Sequence, residues 1–112
     1  MATIVKKSFN QPDDIKTPEK VKMEIVTVDG VKMHRVTAEP GWQWSKHIKP
    51  LVGGESCPQH HLLYVISGTL ASRMDNEDKE EVFTEGDVAV IPSGHDGWTV
   101  GEQPVVWLEI PH

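Results

Sequence analysis

The chain has 112 residues, of which 25% are charged and 38% apolar, with a net charge of −6 and a single cysteine. This is enough for one domain with its own core, and its acidity excludes a nucleic-acid interface, which needs clustered lysine and arginine. No apolar run approaches the roughly 20 residues that span a bilayer, the N-terminal MATIVKKSFNQPDD lacks an apolar signal-peptide region, and one cysteine cannot close an internal disulfide, so the expectation is a soluble cytoplasmic protein without membrane contact.

Residues 1–20 are polar and interrupted by Pro12 and Pro18, and read as an irregular N-terminal arm. Ile4, Val5, Phe9 or Ile15 would dock it, and Asp13-Asp14-Ile15 would begin a short helical turn that Pro18 ends. Residues 21–112 form the folded domain. Its first element is a hairpin, MEIVTV and VKMHRV joined by Asp29-Gly30, the dipeptide favoured in a type I′ turn. Two-residue closure pairs Val28 with Val31, Val26 with Met33 and Glu24 with Arg35 on one face. It pairs Thr27 with Lys32, Ile25 with His34 and Met23 with Val36 on the other. His34 reads as a rim residue.

Glu39-Pro40-Gly41 is a turn signal. Trp42 and Trp44 then alternate with polar residues, which as a strand would put both indoles on one face. Such a pair packs a core or interface, or lines a pocket. After Gly53-Gly54 come Cys57, the pair His60–His61 and the longest apolar run, residues 62–66. Strands are expected at 69–74, 80–84, 88–91 (continuously apolar), 98–100 and through the closing VVWLEI, with turns at 75–78, 85–87 and 101–104 and a loop at 92–97. Seven or more short strands, frequent turns and no long helix indicate an all-β sandwich or barrel.

Chemistry-capable side chains gather at the start of the apolar run. His60, His61, His95 and Cys57 are ligand types for zinc, iron, copper or nickel. Adjacent histidines point to opposite faces of a regular strand, unless Pro58 makes the backbone irregular there. His61 shares parity with Leu63 and Val65, and His60 with Leu62, Tyr64 and Ile66, and parity alone does not choose between them. Cys57 reads equally as a ligand or as a small buried apolar residue. His95 is a ligand or a hydrogen-bonding loop residue. Trp98 reads as a cavity wall or core residue, His47 has no assigned face, and His112 is terminal.

Two blocks resemble the signature motifs of the cupin superfamily. Gly86-Asp87-Val88-Ala89-Val90-Ile91-Pro92-Ser93-Gly94 matches the second motif in spacing, and Tyr64-Val65-Ile66-Ser67-Gly68 ends as the first one does. The blocks Pro40-Gly41-Trp42-Gln43-Trp44-Ser45, Ser56-Cys57-Pro58-Gln59-His60-His61 and Pro92-Ser93-Gly94-His95-Asp96-Gly97-Trp98 are similar to those of small single-domain cupins. The resemblance implies a double-stranded β-helix, or jelly-roll barrel, over 21–112, and a homodimer. Counting back from Gly68, the family's glutamate falls on His61 and its first two histidines on Cys57 and Glu55. Its last histidine falls on Gly97, two residues beyond His95 on the same parity. The usual set thus becomes Glu55, Cys57, His61 and His95, a mixed set that favours zinc or iron. Trp42, Trp44, Leu63 and Trp98 are the expected pocket walls, and His60 becomes a bystander.

Three functions follow: a barrel binding a small molecule with or without a metal; a metal-dependent enzyme of isomerase or dioxygenase type, with its general base weakly specified beyond Glu55; and a dimerisation module without ligand. Neither the ligand nor turnover is specified.

Overall fold

The turn at Asp29-Gly30 sets the first half of the fold. Both residues adopt positive φ, +49° and +79°, the geometry a type I′ turn demands. The strands it joins, β2 (Val21–Val28) and β3 (Val31–Ala38), pair in the register expected from two-residue closure, Glu24 opposite Arg35 and Ile25 opposite His34. The computed structural model of the chain describes residues 3–52 and 61–111.

The described strands form two antiparallel sheets. Besides β2 and β3 these are β1 (Asp14–Lys16), β4 (His61–Ser67), β5 (Leu70–Met74), β6 (Glu80–Phe83), β7 (Val88–Ile91), β8 (His95–Thr99) and β9 (Val105–Pro111). One sheet runs β1-β2-β3-β9-β4-β7, the other β6-β5-β8. The last strand therefore inserts between β3 and β4, bringing together three strands distant in sequence. Apolar inner positions of both sheets form one core, with Val36, Leu63, Val65, Leu70, Val105 and Trp107 in it. Trp42 packs on Trp107 at 6.0 Å between ring centroids, tilted by 50°.

β4 slips register against β9 between Val65 and Ser67, and the chain then turns at Gly68 with φ +79°. A Cβ there would lie 2.3 Å from the Pro104 carbonyl oxygen and 2.7 Å from Val105 Cα. Only glycine fits both the conformation and the contact.

Several sequence expectations are corrected. The stretch after Asp13 is not a helical turn: residues 14–16 add an edge strand to β2, secured by Asp13, whose carboxylate accepts the Thr27 amide at 2.8 Å. Ile4 is 96% exposed and docks nothing, whereas the ring of Phe9 stacks under the Arg35 guanidinium at 5.3 Å. Trp42 and Trp44 do not share a strand face. Gln43 is extended, but residues Trp44–His47 form a helical turn, α1, followed by a second turn, α2 (Lys49–Val52). The cause is tertiary: the buried Asp96 accepts the Ser45 amide at 3.0 Å, taking up one of the N–H groups that the first turn leaves unpaired. The loop expected at 92–97 ends sooner, because β8 begins at His95 through its pairing with Met74. The apolar strand expected at 88–91 is present as β7, at the edge of its sheet among the described strands, with Val88 and Val90 67% and 59% exposed.

Candidate metal and ligand site

His34, Glu109 and Leu63 face one another across β3, β9 and β4, and His61 lies two residues from Leu63 on the same face of β4. Glu109 is buried, 6% exposed, and both of its oxygens are engaged. The Trp107 indole Nε1–H donates to Oε1 at 2.7 Å, and His61 Nδ1 meets Oε2 at 2.6 Å. Burial pushes the Glu109 carboxyl up, but the hydrogen bond and charge of His61, with Trp107 and His34, outweigh it and bring the carboxyl below its usual value. The side chain is therefore an ionised acceptor in the interior.

His95 reaches the same place from the other sheet. It is buried, and its ring stands edge-on to that of His61, with centroids 5.2 Å apart at 72°. Its Nδ1 lies 2.6 Å from the Pro92 carbonyl oxygen. A carbonyl only accepts, so Nδ1 carries the proton and Nε2 holds the lone pair in the neutral ring. The Pro-x-Gly turn before β8 thus fixes this tautomer, and Gly94 supplies its positive φ, +91°.

His34 Nδ1 stops 3.9 Å from Glu109 Oε2, beyond hydrogen-bond reach. Both of its ring nitrogens are buried without a partner among the described residues, and burial lowers its pKa despite the attraction of Glu109.

Of the residues singled out in the sequence, the fold brings His61 and His95 together. Glu55, Cys57 and the bystander His60 lie outside the described residues, as does His112. Trp42, Trp44 and Leu63 are buried members of the core cluster, and Trp98 is half-buried on β8. His47 bonds to its own turn at Gln43 and lies 3.3 Å from Glu19. Sequence reasoning missed Glu109, Trp107 and the inward facing of His34. One signal was available, since Glu109 has the parity of Val105 and Trp107, a carboxylate on the apolar face of the closing strand.

Among the described residues, no three His, Cys, Asp or Glu side chains are arranged to hold a metal ion. A cleft of about 180 Å³ opens beside the site between the β5–β6 hairpin and β7, with Met74, Phe83, Ile91 and Pro92 among its walls. Pro92, whose carbonyl anchors His95, belongs to both. A second cleft, about 500 Å³, lies around the Glu24–Arg35 ion pair.

The fold has counterparts among solved structures. Oxalate decarboxylase from Bacillus subtilis superposes on 92% of this chain with a TM-score of 0.68 and 24% identity, the chain spanning 28% of that protein. A protein of unknown function from Vibrio parahaemolyticus matches 87% of the chain, and 97% of its own, with a TM-score of 0.62 and 14% identity. The chain has the cupin-type fold. The decarboxylase has Mn(II) centres. No family model and no curated protein matches this cupin-type chain. Among the described residues, no helix is long and apolar enough to cross a membrane.

Proposed function

We propose that this cupin-type barrel binds a small molecule beside a divalent transition metal, with His61 and His95 as the metal's imidazole ligands. The carrying observation is the placement of these two rings, from opposite sheets, at 5.2 Å, each with Nδ1 engaged by a protein acceptor. Ligation by either ring is then through Nε2. The donor chemistry fits zinc or iron, which imidazole suits, and manganese only with oxygen donors added. His61 and His95 are two donors, however, and a closed site takes four or more. The proposal draws the others from Glu55 and Cys57, which the sequence resemblance puts at ligand positions, and from the small molecule itself. A metal there would act as a Lewis acid toward an oxygen of the bound molecule. The protein's part is to orient the imidazoles and, through the core at Trp42, Leu63 and Trp107, to keep their surroundings dry. The Mn(II) centres of the structurally similar decarboxylase support a divalent metal in a protein of this fold.

The test is elemental analysis of untagged protein, with thermal unfolding in the presence and absence of chelator. Near-stoichiometric metal that is lost in His61→Ala and in His95→Ala is the expected result. Metal-free protein whose melting moves with neither chelator nor added Zn²⁺, Fe²⁺ or Mn²⁺ would overturn the reading.

A further inference from the structure

We infer that Glu109, clamped by Trp107, is a positioning residue that sets the tautomer of His61 and does not itself serve as a ligand. The inference builds on the metal reading, but its core is a property of the metal-free protein.

An indole N–H can only donate, so Trp107 Nε1 makes Oε1 of Glu109 an acceptor. Trp107 is itself held in the core, 5% exposed and packed on Trp42. The carboxylate is therefore fixed by a rigid neighbour, two residues away on the same strand face. Its second oxygen points at His61 Nδ1, 2.6 Å away. An ionised carboxylate offers no proton, so Nδ1 must carry it. This is the same solution that the Pro92 carbonyl imposes on His95. The two sheets thus present two imidazoles of one tautomer, each with Nδ1–H tied back to the protein. The acceptors differ: a neutral carbonyl holds one ring and an anion the other. A carboxylate in this position raises the basicity of a ligating imidazole and fixes its orientation.

Replacing Glu109 by glutamine keeps the shape and reverses the logic. With the amide oxygen accepting from Trp107, the amide nitrogen faces His61 Nδ1 and donates to it, which moves the ring proton to Nε2. The experiment is long-range ¹H–¹⁵N correlation of the histidine rings in metal-free protein, coupled to zinc affinity by competition with a chromophoric chelator. At a pH where the rings are neutral, the expected result is an Nδ1–H tautomer for His61 in the wild type, an Nε2–H tautomer in Glu109→Gln, and an unchanged His95 in both. Zinc affinity should fall about 10- to 100-fold in the variant. A wild-type His61 protonated on Nε2 would overturn the inference, even if Glu109→Gln fails to fold. Retention of the Nδ1–H tautomer in a folded Glu109→Gln would also overturn it, as would undiminished zinc affinity after the tautomer has changed. If the wild type binds no zinc, the metal reading falls, and the tautomer measurements still decide this one.

Discussion

His34 faces Glu109 across the β3–β9 pairing, yet its Nδ1 stops 3.9 Å short of Oε2, with both ring nitrogens buried and unpartnered among the described residues. Burial holds its pKa below the ordinary histidine value. The sign of the linkage follows. As pH falls through the unfolded value, about 6.5, the unfolded chain takes up a proton that the native ring resists, so stability declines on acidification. Replacing His34 by leucine removes the polar atoms and the proton site together. The variant should match or exceed the wild type at pH 8, by up to about 2 kcal/mol, and lose less stability between pH 8 and 5. Urea unfolding at the two pH values measures both, and a clear loss at pH 8 would mean that the ring is engaged in solution.

Asp96 joins two parts of the fold that share no sheet. Its carboxylate accepts Gln43 Nε2 at 2.7 Å, the Ser45 amide at 3.0 Å and its neighbour's amide, Gly97 N, at 2.9 Å. Asp96→Ala leaves three donors behind in a buried place and should cost about 3 kcal/mol. Asp96→Asn retains one acceptor oxygen and should cost less. Chemical denaturation ranks them, and equal costs would show that the acceptor oxygen left in asparagine contributes nothing without the charge.

Gly68 and Gly30 have the same φ, +79°, but different surroundings. An added Cβ at Gly30 meets nothing within 4 Å, and at Gly68 it meets the 104–105 backbone. Gly30→Ala should cost only the left-handed strain, about 1 kcal/mol. Gly68→Ala should cost about 3 kcal/mol or more, because backbone has to move. Comparable melting temperatures for the two variants would contradict the close approach.

The outer face of β4 and β7 leaves Tyr64, paired opposite Val88, 44% exposed beside Val88 and Val90. The homodimer implied by the family resemblance would bury such a face beside β7, the edge strand among the described residues. Sedimentation should then find a dimer that Val88→Lys with Val90→Glu converts to a monomer of similar melting temperature. A monomeric wild type would remove this role from the patch.

The legible parts of the fold were those whose cause is local. Asp29-Gly30 adopts its turn from its own conformational preferences, so the β2–β3 register could be counted outward from it. Gly68, Gly86 and Pro92-x-Gly94 mark turns for the same reason. His61 was separable from His60 only through its distance from Gly68 in the family pattern. Trp44 was misplaced because the carboxylate that starts its helical turn comes from Asp96, on β8. The continuous apolar run at 88–91 was legible as a strand, and only the strand order among the described residues places it at an edge.

By itself the sequence determined an all-β fold and its main turns, because these follow from short-range backbone chemistry and strand alternation. The choice of His61 over His60 and of a barrel came from the family resemblance. Only the tertiary structure decided that His61 meets Glu109, 48 positions away, and that His95 stands against it from the other sheet. Those contacts exist because the last strand inserts between β3 and β4 and the two sheets face each other. Strand order of that kind depends on the core as a whole, and no local pattern of residues encodes it.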